Sequence, residues 1–373
     1  MGENDRTITH IGEVERIVDT DFHLTEQQET ILPYLEEPFD KVLNVDSGRV
    51  RGQVDGGYLG QLYPSAGHLT PTDTGKAESD DIRTPEDVER GMDLMGVDEA
   101  ILTPGLNLRL GLVHHDELAA AFATAYNNWL LDAILDADRS FYGAMTVAPQ
   151  EPAKAAEEIE RRAGEKSIVA VQIPGGGVTP PLGRERYFPI YEAAERAGLP
   201  VMIHNAATGI VGNYPLQWRG TKRYIDVHVP YHPAEQMWHL TTLLTAGVPV
   251  RFPDLTFVMQ ECGIGWIPYF MRRYDNEYAK KSEDAPLLEK TPSEYLDDQF
   301  YFTSQPTEGA NDPEYLCAVV RLFNGAQNLL FSSDYPHYDF DYSDTLLKAL
   351  RPEFTDEEIE NVYGRNAADV FAL

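Results

Sequence analysis

The chain has 373 residues, with 61 acidic against 30 basic side chains and a formal charge of −31. No basic stripe is available to meet phosphates, so this balance argues against binding to nucleic acid or to an anionic membrane. Two cysteines, no signal-peptide pattern and no apolar run long enough to span a membrane favour a cytoplasmic protein. Because the acidic residues are dispersed along the chain, we also predict a halophilic protein whose self-repulsion is screened by concentrated salt.

The first distinctive segment is an apolar strand predicted from Ile17 to His23, after a polar tail at residues 1–15. Side chains of a strand alternate between its two faces, so Asp19, Asp21 and His23 are expected to point the same way. An acid and an imidazole stacked at a strand end could bind one metal ion. The alternative is a solvated strand end followed by a helix cap.

Residues 24 to about 83 lack periodicity and are predicted to be a long insertion. Regular elements begin at Thr84, which reads as an N-cap followed by Pro85 in the first helical turn. From there apolar strands alternate with helices, and a second insertion is predicted from Asn205 to about His232. The later strands are predicted at residues 99–104, 141–147, 168–173, 199–204, 255–261, 299–304 and 328–334.

Eight strands, each followed by a helix, predict an α/β fold of the (β/α)₈ barrel type, with one barrel domain at residues 16–373. An open doubly wound sheet is the alternative fold. No Gly-x-Gly-x-x-Gly follows the first strand, so the sequence does not support a dinucleotide site of the kind that such sheets often contain.

Four of the predicted strands end in side chains that can bind a metal ion. The C-terminal ends of barrel strands meet at one mouth, and here they supply Asp21 and His23, then His204, Glu261 and Asp334. A lone histidine is more often a hydrogen-bonded core residue, but four strand ends together are a stronger signal. Mixed imidazole and carboxylate ligands suit Zn²⁺, which is our first choice, or Mn²⁺ or Fe²⁺.

These segments resemble the amidohydrolase superfamily, specifically the amidohydrolase-2 branch that contains the aminocarboxymuconate-semialdehyde decarboxylase-like enzymes. The resemblance extends from about residue 16 to the C-terminus. It implies a metal-dependent barrel enzyme, plausibly a homodimer, that decarboxylates without oxidation or hydrolyses an ester, lactone or amide. The matching segments are Val18–His23, Gly198–His204, Arg251–Leu255, Glu261–Trp266, Ser333–His337 and Gly364–Ala368.

The resemblance also suggests roles for individual residues. Asp21, His23, His204 and Asp334 are expected to bind one divalent ion that keeps a water molecule in an open position. For decarboxylation of an aromatic or unsaturated carboxylic acid, Asp334 is the first candidate for the acid that protonates the carbon losing CO₂, and Glu261 is the second. Apolar surroundings and adjacent carboxylates are expected to raise the pKa of either group.

Two departures and three further histidines leave alternatives open. Asp21 stands where many members have histidine or glutamate, and Glu261 where many decarboxylases have histidine. Glu261 is therefore expected to be either a metal ligand or a base of altered strength. His337 is expected to orient a ligand or to pack its loop. His228 and His232 lie in the second insertion near the mouth, where they could contact substrate, but they are predicted to be solvated. For a hydrolase, Asp334 would instead deprotonate the water molecule. A catalytically silent barrel that acts as a binding protein is the third hypothesis.

Overall fold

The computed structural model describes residues 8–40, 81–136, 138–205 and 225–373. In these ranges, eight parallel strands lie side by side in chain order. They are Val18–His23 (β1), Glu99–Thr103 (β2), Phe141–Thr146 (β3), Ile168–Pro174 (β4), Val201–His204 (β5), Phe257–Gln260 (β6), Phe300–Thr303 (β7) and Leu329–Leu330 (β8).

The segment that follows β8 returns to β1 and closes the sheet. The backbone N–H of Thr20 donates to the carbonyl of Phe331 at 3.1 Å, and the N–H of Asp334 donates to the carbonyl of Asp21 at 3.0 Å. These bonds confirm the predicted (β/α)₈ barrel and exclude the open doubly wound sheet.

Helices surround the strands. The helix at Pro85–Met95 begins as predicted, with Thr84 and Asp87 forming a capping box, and it is followed by Gly96, which has a φ of 66°. The helices are Gln28–Ile31 (α1), Pro85–Met95 (α2), Asp116–Trp129 (α3), Pro152–Arg162 (α4), Phe188–Ala197 (α5), Ile225–Thr245 (α6), Val248–Arg251 (α7), Ile267–Lys281 (α8), Pro292–Gln299 (α9), Pro313–Leu322 (α10), Gly325–Asn328 (α11), Ser343–Leu350 (α12), Asp356–Glu360 (α13) and Asn366–Phe371 (α14).

The apolar core forms two main layers. The larger layer fills the space between strands and helices, and a smaller one includes side chains from seven of the strands together with Phe371 of α14. Val18 belongs to the smaller layer and Phe22 to the larger, although strict alternation would place both on one face. The register of β1 against β2 shifts between Asp19 and Phe22, which accounts for this difference.

Several boundaries differ from those expected. Helix α6 is already present at Ile225, so the last residues assigned to the second insertion are helical. Within the predicted polar tail, Ile8 and Val14 are buried. Residues 41–80 and 206–224, which include most of both predicted insertions, lie outside the described residues. In the described part of the chain, no helix combines the length and the apolar character needed to cross a membrane.

Candidate metal centre

The end of β1 places two acids in different surroundings. Asp21 Oδ1 lies 3.4 Å from His23 Nε2, and both side chains are buried. Asp19 instead accepts a hydrogen bond from the backbone N–H of Ser333 at 3.0 Å and a second from its hydroxyl. Burial raises the pKa of Asp19 to about 7. Asp19 therefore connects β1 to the segment that contains Asp334.

The four predicted ligands lie together at the C-terminal end of the barrel. His23 Nε2 is 3.0 Å from Asp334 Oδ1, and His204 Nε2 is 3.4 Å from Asp21 Oδ2. All four side chains are fully buried. The structure thus brings together residues from β1, β5 and the end of β8, as the strand-end pattern predicts. Their role as metal ligands remains a prediction.

Both histidines have one ring nitrogen fixed by a backbone carbonyl. His23 Nδ1 lies 2.9 Å from the carbonyl of Pro104, and His204 Nδ1 lies 2.7 Å from the carbonyl of Asn205. A carbonyl can only accept, so each Nδ1 holds the proton and each neutral ring has its lone pair on Nε2. Metal-binding histidines commonly have this arrangement, because the second nitrogen fixes the tautomer.

Two polar residues that the sequence did not single out orient Asp21. The Thr103 hydroxyl, at the end of β2, donates to Asp21 Oδ1 at 3.0 Å, and the Gln260 side-chain amide, at the end of β6, donates to the same oxygen at 3.1 Å. Asp21 Oδ2 is left to face His204. Both partners stand at strand ends. Neither residue type is a common metal ligand, so a search for metal-binding residues at strand ends does not select them.

Glu261 and Asp334 are both held in left-handed backbone conformations, with φ values of 43° and 62°. This conformation is unfavourable for a residue with a side chain, and it is found preferentially at functional sites. The Glu261 N–H donates to the Thr303 hydroxyl at 3.0 Å, which helps to hold the turn. As a result, Glu261 Oε2 lies 3.3 Å from His204 Nε2.

His337 and Asp334 shift each other's pKa. Its Nδ1 lies 2.7 Å from Asp334 Oδ1. Burial alone would lower the pKa of His337, but the Asp334 carboxylate outweighs it and raises that pKa to about 9. Burial would likewise raise the pKa of Asp334, but His337 and His23 hold it below its usual range. The expectation that the surroundings raise the pKa of Asp334 is therefore wrong.

The same expectation is correct for Glu261. Burial and the nearby carboxylates of Asp334 and Asp21 raise the pKa of Glu261 well above its usual range. This shift shows how many negative charges meet in a small buried volume. A cation placed between the carboxylates would relieve the repulsion.

His228 and His232 are less exposed than predicted. His232 is only 3% exposed, its Nδ1 is 3.6 Å from Glu261 Oε1, and burial lowers its pKa to about 3. His228 is partly buried, with its Nε2 3.7 Å from Asp339 Oδ2. The prediction that both are solvated is wrong, because it assumed that α6 begins after these residues rather than including them.

The donor set fits a divalent cation. Within the ranges described, no hydrogen bond reaches the following atoms of the predicted ligands: Asp21 Oδ2, His23 Nε2, His204 Nε2 and Asp334 Oδ2. Buried polar atoms without partners are costly, and lone pairs on facing nitrogen and oxygen atoms repel one another. Two imidazoles and two carboxylates are ligands that Zn²⁺ and Mn²⁺ accept. An ion bound by these four atoms would satisfy all of them.

The amidohydrolase family model matches residues 18–373. This chain belongs to the amidohydrolase family. The resemblance inferred from the strand-end motifs is therefore confirmed, and it covers nearly the whole chain, including each of the residues that form the candidate metal centre.

Individual relatives of this amidohydrolase are decarboxylases. It is 25% identical over 297 residues to gamma-resorcylate decarboxylase of a Polaromonas species, which covers 76% of this chain and 86% of that protein. It is 23% identical over 259 residues to 2-amino-3-carboxymuconate-6-semialdehyde decarboxylase of Dictyostelium discoideum, which covers 68% of this chain and 67% of that protein.

The fold is also found among solved structures. That of 5-carboxyvanillate decarboxylase from Novosphingobium aromaticivorans, in complex with manganese and 4-hydroxy-3-methoxy-5-nitrobenzoic acid, superposes with a TM-score of 0.68. The sequences are 23% identical, and the match covers 100% of both chains. This likeness supports the barrel assignment independently of the strand pairing.

Proposed function

We propose that this amidohydrolase is a metal-dependent, nonoxidative decarboxylase of an aromatic or unsaturated carboxylic acid. The observation on which the proposal depends is that Asp21, His23, His204 and Asp334 each have one buried atom that lacks a hydrogen bond from the described residues. The donor atoms of Asp21, His23 and His204 lie within 4.8 Å of one another, and Asp334 lies within the same distance of His23. The two decarboxylases among its relatives support this reaction over hydrolysis.

We propose one divalent ion at these four residues. Imidazole and carboxylate ligands suit both Zn²⁺ and Mn²⁺. The manganese in the 5-carboxyvanillate decarboxylase structure favours Mn²⁺ for this chain, ahead of the Zn²⁺ that the ligand types alone suggested. The two metals can be compared directly by reconstituting metal-free protein with each.

The reaction needs positive charge beside the substrate's carboxylate and a proton for the carbon that loses CO₂. A divalent ion bound at the site supplies positive charge to the substrate's carboxylate and to a neighbouring hydroxyl. With Oδ2 bound to the ion, Asp334 Oδ1 lies 2.7 Å from His337 Nδ1, so this oxygen can pass on a proton that His337 holds. That proton bonds to the substrate carbon, and the electrons of the broken carbon–carbon bond return to the organic product as CO₂ leaves.

His337 is suited to storing this proton. In the metal-free protein the Asp334 carboxylate raises the pKa of His337 to about 9, and the His337 side chain is 38% exposed, so it can recover a proton from solvent after each turnover. Glu261 is the second candidate for the acid. It faces the same space, but its nearest basic partners are His204 and His232, at 3.3 and 3.6 Å.

The test is an assay of CO₂ release after removal and restoration of the metal. Protein stripped with a chelator should release no CO₂ from gamma-resorcylate, 5-carboxyvanillate or related unsaturated acids, and addition of Mn²⁺ or Zn²⁺ should restore release from at least one. His23→Ala should release no CO₂, either in the stripped protein or after Mn²⁺ or Zn²⁺ is added. His114→Ala, which removes an exposed histidine, is the matched control and should leave release unchanged.

Three results would contradict the proposal. Acid release from a lactone, ester or amide panel without CO₂ from any carboxylate would identify a hydrolase. CO₂ release that survives chelation would remove the metal from the reaction. Failure to bind any divalent ion would favour a silent barrel.

A further inference from the structure

A second cluster of metal-binding side chains lies beside the four residues assigned above. His228, His232 and Glu261 have donor atoms within 4.8 Å of one another. His228 and His232 are four residues apart on α6, so their side chains project from the same face of the helix. Two histidines at this spacing are a common way for a helix to bind a transition metal.

His232 has unsatisfied bonding capacity in a buried position. It is 3% exposed, and in the part of the chain that the structure describes neither ring nitrogen makes a hydrogen bond. Burial of a polar ring without partners is unfavourable. Its Nδ1 points toward Glu261 Oε1 at 3.6 Å, which is too long for a hydrogen bond and leaves room for an ion between the two side chains.

The two oxygens of Glu261 face different groups. Oε2 lies 3.3 Å from His204 Nε2 in the first site, and Oε1 lies 3.6 Å from His232 Nδ1 in the second cluster. A carboxylate placed in this way can bridge two cations, which in two-metal sites are typically about 3.5–4 Å apart. The left-handed backbone of Glu261 holds the side chain between the two groups.

The charge balance favours a second cation. Four carboxylates meet in this part of the barrel, because Asp21 and Glu261 both approach His204, Asp334 approaches His23, and Asp339 approaches His228. One divalent ion together with a protonated His337 beside Asp334 offsets three of these four negative charges, so one carboxylate remains for a second cation to neutralise. The second cluster also includes a carboxylate of its own, because Asp339 Oδ2 lies 3.7 Å from His228 Nε2.

We propose that His228, His232 and Glu261 form a second site for a divalent transition-metal ion, and that Glu261 bridges this ion to the one bound by Asp21, His23, His204 and Asp334. Asp339 is the additional carboxylate within reach of the second ion. The proposal rests on the proposed function only in sharing its first metal site. In this arrangement Glu261 is a ligand, which leaves proton delivery to Asp334 and His337.

The test is to count bound Mn²⁺ in the full-length protein. Metal-free protein is saturated with Mn²⁺, passed through a desalting column and analysed by inductively coupled plasma mass spectrometry, with electron paramagnetic resonance on the same sample. We expect two ions per chain and the spectrum of a magnetically coupled pair. His228→Ala and His232→Ala should each bind one ion, with the spectrum of an isolated Mn²⁺. His114→Ala is the matched control and should bind two.

The outcomes separate this proposal from the proposed function. One ion per wild-type chain together with CO₂ release overturns the second site and leaves the decarboxylase intact. Two coupled ions without CO₂ release from any carboxylate support the second site and overturn the decarboxylase. Two ions without magnetic coupling overturn the bridge. If a histidine variant does not fold, as judged by circular dichroism, the wild-type ion count and the Glu261→Gln variant test the proposal instead. Glu261→Gln should bind one ion, because it lacks the bridging carboxylate.

Discussion

The Thr103 side chain has one hydroxyl, and its removal tests the candidate metal centre without replacing a proposed ligand. It donates to Asp21 Oδ1, so it fixes the carboxylate with Oδ2 toward His204. Loss of such an outer partner typically weakens metal binding about 10–100-fold. We therefore expect Thr103→Val to weaken Mn²⁺ binding about 10–100-fold, measured by isothermal titration calorimetry.

The chain provides a matched control for this substitution. Thr146 ends β3 much as Thr103 ends β2, and it is equally buried, but its hydroxyl has no partner among the described residues. Thr146→Val should therefore leave the affinity for Mn²⁺ unchanged. Equal losses in the two variants would mean that barrel packing, rather than the bond to Asp21, determines the affinity.

His337 should make the stability of the metal-free protein depend on pH. Its pKa rises from 6.5 to about 9 on folding, so the folded state holds a proton that the unfolded state releases. This stabilisation is complete below pH 6.5 and disappears as the pH rises through about 9. The difference in unfolding free energy between wild type and His337→Gln, from urea titrations, should therefore shrink over this range. A constant difference would contradict the assignment.

The sequence was sufficient to bring the four candidate ligands together but not to assign their chemistry. Asp21, His23, His204 and Asp334 were predictable because each follows an apolar strand, and strand ends of a barrel meet at one mouth. The low pKa of Asp334 was not predictable, because it depends on a 2.7 Å contact with His337. Such contacts depend on the path of a loop, which residue spacing does not determine.

Helix α2 packs so closely against the barrel that one of its positions must be glycine. A Cβ atom at Gly91 would lie 2.6 Å from Phe22 Cζ and 2.9 Å from Tyr335 Cε1. Phe22 stands between Asp21 and His23, and Tyr335 follows Asp334, so the contact supports the backbone beneath the metal centre.

Gly91→Ala should therefore destabilise the protein. Alanine favours an isolated helix by about 1 kcal/mol, but overpacking of a core typically costs about 1–3 kcal/mol, and contacts this short favour the upper part of that range. We expect a net loss of about 1–2 kcal/mol in unfolding free energy from urea titration. Gly164→Ala is the control, because nothing lies within 4 Å of its added Cβ, and it should change stability little. A stabilised Gly91→Ala would show that α2 can move away from the barrel.

At the level of elements, the order of strands and helices was predictable and some boundaries were not. The strands are apolar runs between turn residues, and this pattern can be recognised without knowledge of the packing. Helix α6 was placed too late, from about Pro233, because proline favours the first turn of a helix, whereas Pro233 and Pro230 both lie inside this one. Strand β8 is shorter than its apolar run, because Phe331 bonds to Val362 and Thr20 rather than continuing the ladder.

The charge of the whole molecule leads to a prediction about salt. The 61 acids outnumber the 30 bases, so the molecule has a net charge of −31 that ion pairing cannot cancel. Raising ionic strength from about 0.1 M to about 1 M shortens the screening length from about 10 Å to about 3 Å. This reduces repulsion among the acids more than it weakens the fewer ion pairs, so the folded state should gain stability.

We expect the Tm in KCl to rise by roughly 4 °C or more over this range, since each kcal/mol gained corresponds to roughly 2 °C in a chain of this size. Differential scanning calorimetry at pH 8 measures the effect, and the same series near pH 5 is the control. The sequence pI is about 4.5, so the net charge is small near pH 5 and the response to salt should shrink with it. A Tm that is indifferent to KCl at pH 8, or a response of equal size at both pH values, would rule out charge repulsion as the source and with it the predicted adaptation to concentrated salt.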